Sequence, residues 1–212
     1  MLHKETVEKP TLELLIKLMN DTALKEFVLV GGTALALQLG HRISVDIDLF
    51  SVEPFESIIL GDYLRVNYNF ELDFIANNTL KGEIDGIQLD LITHQYPWLQ
   101  KQFIHENIRL ASVMDIAAMK LNAISGNGTR LKDFIDIAEL SYKISLNQML
   151  AAYEQKYMSN PIMPLKGLLY YEDINFNEPI KMAENNSCNW KAIENRLKLM
   201  HKFPDKIFEK PI

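Results

Sequence analysis

Two aspartates, Asp46 and Asp48, interrupt an otherwise apolar stretch, VLVGGTALALQLGHRISVDIDLF at residues 28–50, shortly after Gly31-Gly32-Thr33. An acid buried without a partner is expensive, so the pattern asks for something cationic beside it. Side chains alternate faces along a strand, which puts Asp46 and Asp48 on one side and Val45, Ile47 and Leu49 on the other. The two charges then lie about 7 Å apart along the strand. A shared divalent cation suits such a pair, because Mg2+ prefers carboxylate oxygens and bridges to substrate phosphates. A third acid, Asp90 in GIQLDLITH, stands in the same kind of strand between Leu89 and Leu91. If that strand pairs beside residues 45–50, three acids converge in the two-metal arrangement of in-line phosphoryl or nucleotidyl transfer.

The glycines supply the complementary half. They let the backbone approach a ligand closely, and Thr33 can cap the following helix, whose first amides then face anionic oxygens. Gly31, Gly32 and Thr33 thus hold a triphosphate while the acids hold the metals bridging it. Alone, a Gly-Gly turn or an Asp-x-Asp is ordinarily structural; the order turn, helix, paired acids, third strand acid favours chemistry. Farther along, Lys120 lies beside the apolar stripe Ile116, Ala117, Leu121 and Ile124. It either snorkels or offsets phosphate charge in a transition state. In TRLKDFIDIAEL, Asp133 and Asp136 share a side at i,i+3 spacing, with Lys132 offset toward a phosphate. Solvated surface charge is the plain alternative there. Arg42 either contacts phosphate or pins the strand entry. Trp98 and the Tyr170-Tyr171 pair read as packing residues.

These residues need elements to position them. Apolar periodicity predicts a helix over 9–20, a short strand over 27–30, a helix over 33–39 ended by Gly40, and a strand over 45–50. A helix over 54–66 and strands over 70–75, 79–84 and 87–93 follow, with Asp85-Gly86 as a hairpin turn. Helical periodicity then takes over at 112–125, 130–143, 146–158, 162–171 and 189–202. The chain reads as α+β over residues 1–95 and helical over 96–212.

At 212 residues, 48% hydrophobic and 24% charged, the composition is that of a globular protein with a real core. One cysteine, Cys188, excludes an internal disulfide framework, cannot alone build a zinc site, and fits a reducing cytoplasm. No long uncharged apolar run opens the chain, so neither a signal peptide nor a membrane span is expected. A net charge of −6 gives no broad basic footprint and argues against nonspecific binding of duplex DNA.

The stretch GGTALALQLGHRISVDIDLFS resembles the signature of the nucleotidyltransferase superfamily that includes DNA polymerase β. It is more closely similar to the AbiEii/AbiGii-type branch, the toxins of type IV toxin–antitoxin systems. That branch carries a Gly-Gly-Thr/Ser, a His-Arg-x-Ser-x-Asp-x-Asp run and a third strand Asp. Residues 112–140, SVMDIAAMKLNAISGNGTRLKDFIDIAEL, resemble its second block, and LLYYEDINFNEPI at 168–180 its C-terminal element. The resemblance implies a nucleotidyltransferase fold, a small mixed sheet flanked by helices over 1–95, with the helical domain 96–212 closing over the nucleotide. It implies an enzyme moving a nucleoside monophosphate from an NTP to an acceptor, with release of pyrophosphate. Two Mg2+ ions, or Mn2+ in their place, would be held by Asp46, Asp48 and Asp90. Catalytic roles fall on these three acids with Lys120 and Asp133, and nucleotide contacts on Gly31, Gly32, Thr33, Arg42, Lys120 and Lys132. The implied acceptor is RNA such as a tRNA 3′ end, and a cognate antitoxin is the implied protein partner. The family often has an Arg where this chain has Gly126-Asn127-Gly128, which removes one phosphate or acceptor contact. Two rivals remain: a transferase modifying a partner protein, and a nucleotide-binding module without turnover. The three intact acids argue against the second.

Overall fold

Seven short strands, alternating apolar and polar residues, assemble a single mixed sheet. They are β1 (Val28–Leu29), β2 (Ile47–Ser51), β3 (Glu71–Ala76), β4 (Thr79–Ile84), β5 (Ile87–Thr93), β6 (Phe103–His105) and β7 (Ile108–Leu110). The spatial order is β3-β4-β5-β2-β1-β7-β6. β3, β4 and β5 form an antiparallel meander, β5 runs parallel to β2, and β1 pairs antiparallel to β2 and parallel to β7. On β2 and β5, Ile47, Leu49, Leu89 and Leu91 are fully buried, whereas Asp48, Phe50, Asp90 and Ile92 remain part-exposed. One face is therefore core and the other carries the polar residues, as antiparallel-containing sheets allow.

This computed structural model describes residues 1–183 and 188–212. The chain divides into two compact units, Met1–Pro97 with Gln102–Ala111, and Trp98–Lys101 with Ser112–Ile212. The first unit contains the sheet and the helices α1 (Lys9–Met19), α2 (Gly31–Leu39) and α3 (Ser57–Tyr68). α2 begins two residues before the expected Thr33, because both glycines belong to its first turn, and it ends at Gly40 with φ 74°. β2 begins at Ile47 rather than Val45, so Asp46 lies outside the strand. The β6–β7 hairpin is absent from the sequence expectation. Its turn residues Glu106 and Asn107 adopt φ of 50° and 65°, a conformation that Gly usually signals and that Asn also tolerates. Arg109 of β7 fixes this edge by donating to the carbonyls of Met19 (2.7 Å), Leu24 (2.9 Å) and Phe27 (2.8 Å).

The second unit is helical: α4 (Val113–Gly126), α5 (Leu131–Leu140), α6 (Leu146–Tyr157), α7 (Ile162–Gly167) and α8 (Trp190–Lys202). Its core includes Ile116, Leu121, Phe134, Ile137 and Met149. Asp115, three residues after the cap Ser112, accepts bonds from the Ser112 hydroxyl (2.7 Å), Leu99 N–H (3.0 Å) and Gln100 N–H (3.3 Å). Lys156 meets the same carboxylate at 2.9 Å and lies 4.9 Å from the Trp98 ring centre. Both charges are fully buried, which is tolerable only because each is paired and hydrogen-bonded.

Candidate active site

Asp48 and Asp90 are direct partners in the parallel β2–β5 ladder. Their side chains therefore stand side by side on the part-exposed face. β4 adds Lys81 opposite Asp90, and the two form an ion pair. Three adjacent strands thus present a row of cation, acid, acid. The sequence reading passes over Lys81, although the signal was available. A two-residue Asp85-Gly86 turn pairs Ile84 with Ile87, and counting back three positions on each strand puts Lys81 opposite Asp90.

Gly31 meets this row at the start of α2. A Cβ added there would stand 2.2 Å from Asp48 Oδ2, and its φ of +67° also favours glycine. The carboxylate thus occupies the space of a missing side chain, directly against a helix N-terminus. A Cβ on Gly32 would stand 2.3 Å from Arg42 Nη2, so the guanidinium is seated there in the same way. Arg42 is buried and also donates from Nη1 to its neighbour's carbonyl, Ile43 O, at 3.2 Å. The cap position of α2 is Val30, whose side chain makes no capping bond. The expectation that Thr33 caps the helix is therefore corrected. Thr33 is fully buried, and its hydroxyl donates to the Asp46 carbonyl and is hydrogen-bonded with Ser44 Oγ (3.0 Å). It ties the helix start to the strand entry, and places Asp46 through its backbone rather than through strand pairing.

Among the described residues, no three acidic, histidine or cysteine side chains gather closely enough to enclose a metal ion. The donors nevertheless fit a hard divalent cation. Asp48 and Asp90 offer adjacent carboxylate oxygens, and Asp48 lies at the N-terminus of α2, the end of a helix that favours an anionic co-ligand. Mg2+ ordinarily takes only one or two protein carboxylates and completes its shell with water and phosphate.

In the second unit, Lys120 Nζ lies 2.6 Å from Asp133 Oδ1 and 2.7 Å from Asp136 Oδ2. All three side chains are buried, which removes the solvated-surface alternative for the two acids. Arg130 Nε approaches Asp133 Oδ2 at 3.8 Å. Lys132 pairs with Glu178 at 3.3 Å. Asp136 thus shares with Asp133 the task of holding Lys120.

A family model described as nucleotidyl transferase AbiEii toxin, type IV TA system, matches residues 13–69, which contain Gly31, Gly32, Asp46 and Asp48. An uncharacterized protein of Aquifex aeolicus is 30% identical over 174 residues, covering 79% of this chain and 84% of that protein. The chain belongs to the AbiEii nucleotidyltransferase family. Two Helicobacter pylori crystal structures share the fold of this AbiEii-family protein. One, of a candidate nucleotidyltransferase, has a TM-score of 0.58 at 18% identity and covers 93% of this chain and 96% of its own. The other, JHP933, has a TM-score of 0.57 at 17% identity and covers 94% and 93%. The expected mixed-sheet nucleotidyltransferase fold, the family and the enzyme class stand together. No helix among the described residues is long and apolar enough to cross a membrane.

Proposed function

We propose that this nucleotidyltransferase moves a nucleoside monophosphate from an NTP to a hydroxyl of an RNA acceptor, such as a tRNA 3′ end. It would act as the toxin-like component of a type IV system, with an antitoxin as partner. The observation that carries the chemistry is the in-register Asp48–Asp90 pair set against Gly31 at the start of α2. Asp46, Asp48 and Asp90 would hold divalent ions, two Mg2+ or Mn2+. When bound, these supply Lewis acidity to phosphate oxygens and lower the pKa of a bound hydroxyl. The amides of Gly31, Gly32 and Thr33 receive the triphosphate, and Arg42 seated at Gly32 offsets its charge. Asp90 also orients the acceptor hydroxyl. In the second block, Asp133 is assigned to catalysis and Lys132 to the nucleotide. Lys120 is assigned to catalysis and to the nucleotide as expected from the sequence, and its pairs with Asp133 and Asp136 also hold the Asp133 carboxylate in place.

Incubation of the protein with α-labelled NTPs, tRNA and Mg2+ tests this directly. Label should enter the RNA with stoichiometric pyrophosphate, and Asp48→Asn should lower the rate by at least about 10³-fold. Label entering a co-expressed protein instead, or no metal-dependent pyrophosphate release, would overturn the RNA assignment or the transfer itself.

A further inference from the structure

β3 is an edge strand of the sheet, and a bulge turns one of its rings onto the acid face. Leu72 is opposite Gly82, yet Phe74, two residues on, is opposite Lys81 rather than Leu80. Asp73 is the extra residue. Side chains two apart on a strand ordinarily share a face, so an unbulged β3 would put Phe74 on the core side with the fully buried Leu80. The bulge instead aligns Phe74 with Lys81, which is aligned in turn with Asp90 and, through it, with Asp48. Four adjacent strands therefore present ring, cation, acid, acid in one row. Bulges beside active sites are known to re-aim a side chain in this way. Phe74 is 52% exposed, and the neighbouring Lys81 ammonium is drawn off toward Asp90, on the side away from β3. An apolar side chain exposed on an edge strand is a liability, and this ring adds nothing to the core, so its placement points to a ligand.

We propose that Phe74 is the acceptor platform, its ring stacking on the terminal nucleobase of a single-stranded RNA end whose ribose hydroxyl then lies at Asp90. The inference rests on the nucleotidyl-transfer reading above and specifies how its acceptor is held. In-line transfer places the attacking hydroxyl and the leaving pyrophosphate on opposite sides of the phosphorus. On that reading the triphosphate belongs at Gly31, against Asp48. The acceptor therefore enters from the Asp90 side, where the row continues to Lys81 and Phe74. The spacing fits. Neighbouring strands are about 4.8 Å apart, so two steps put Phe74 about 10 Å from Asp90. A base stacked on the ring takes up about 3.5 Å of that span in van der Waals contact and leaves about 6 Å. A nucleoside covers such a distance from its base to its own 3′ oxygen. Charge points the same way. With a net charge of −6, the protein has little general attraction for phosphate, so sequence-tolerant stacking must carry much of the acceptor affinity.

The test is a double-mutant cycle between ring and base. The probe is a 5′-fluorescein RNA hairpin with a four-nucleotide single-stranded 3′ end, compared with the same RNA whose last nucleotide is abasic. Anisotropy with the full chain, Mg2+ and a non-hydrolysable NTP gives both affinities. The wild type should prefer the intact end by about 5- to 150-fold. Phe74→Ala should erase that preference and Phe74→Trp should keep it. Phe103→Ala, which removes an exposed ring at the opposite edge of the sheet, should leave it intact. In turnover, Phe74→Ala should raise KM for the RNA and leave KM for the NTP unchanged. Preference retained in Phe74→Ala, or absent from the wild type, overturns the platform, and so does a rise confined to the KM of the NTP. Label transfer to a protein with no RNA affinity overturns the platform but keeps nucleotidyl transfer, whereas failure of metal-dependent pyrophosphate release with any acceptor removes the underlying reading. Melting temperatures of the variants separate loss of the platform from loss of the fold.

Discussion

Asp48 and Gly31 constrain each other, and a matched pair of glycine variants separates that constraint from backbone strain. Gly31→Ala faces both a positive φ and a carboxylate 2.2 Å from the new Cβ. Gly86→Ala faces a φ of +78° and nothing within 4 Å. Each should lose roughly 1–2 kcal/mol to the left-handed backbone, read as a fall in urea midpoint that the clash with Asp48 makes larger for Gly31→Ala. Only Gly31→Ala should also lose transfer, by more than about 10²-fold, because it displaces Asp48 from the phosphate end of α2. Equal activity in the two variants would separate Asp48 from the nucleotide. Lys81 permits a second test at this scale. Its ammonium holds Asp90 where a divalent ion would compete for the same oxygens. The pair is part-exposed, so the competition is worth only about 1 kcal/mol. Lys81→Met should accordingly tighten Mn2+ binding, measured by electron paramagnetic resonance, by about 5-fold. Lys81→Arg should behave as wild type, and weakened Mn2+ binding in the Met variant would mean that Lys81 assists the ion.

The helices of the second unit carry buried charge, and their predictions concern stability. Lys120→Met leaves Asp133 and Asp136 facing each other in a buried site, which should cost about 3–5 kcal/mol. Thermal melts should show a large fall in Tm, and an unchanged Tm would mean that the triad is not a structural unit. Glu139 of α5 gives a pH signature. Burial pushes its carboxyl from 4.5 up to about 7, against the lowering effects of the Ile212 N–H and Arg196, with nearby Asp136 raising it further. The folded chain therefore keeps a proton that the unfolded chain releases between pH 4.5 and 7. Stability should fall as pH rises through that window and level off above it, by up to about 3 kcal/mol. Urea titrations at several pH values should show this slope flattened in Glu139→Gln, which should also be the more stable protein at pH 8. The elements behind these tests were unevenly legible. The strand register around Asp90 followed from the Asp85-Gly86 turn and alternation, and α4 to α6 followed from apolar periodicity. The β6–β7 hairpin was hidden because its strands are three residues long and its turn lacks glycine. The burial of Asp133 and Asp136 was hidden because i,i+3 acids look alike whether they face water or a lysine.

Across the whole molecule, the decisive quantity is the acidic balance, a net charge of −6. An RNA acceptor cannot be drawn in by a general cationic surface. Lys81, Arg130 and Lys132 keep part of their side chains in solvent, at 42%, 51% and 21% exposure, yet each is already paired with an acid. Only a few phosphates can be neutralised, and counterion release scales with that number. Two to four contacts at about −0.7 each give a log–log salt slope of roughly −1.5 to −3 for single strands. Binding to a tRNA-like end should therefore be weak, strengthened by Mg2+ with nucleotide, and only mildly salt-sensitive, with negligible affinity for duplex DNA. Anisotropy titrations between 50 and 200 mM salt check this, at roughly the range over which strongly cationic binders lose orders of magnitude in affinity. A slope near −6 with tight duplex binding would mean that a basic surface is formed that the charge balance does not provide. A shallow slope with affinity intact would instead leave stacking and metal-bridged contacts to carry recognition, because neither depends strongly on the number of counterions released.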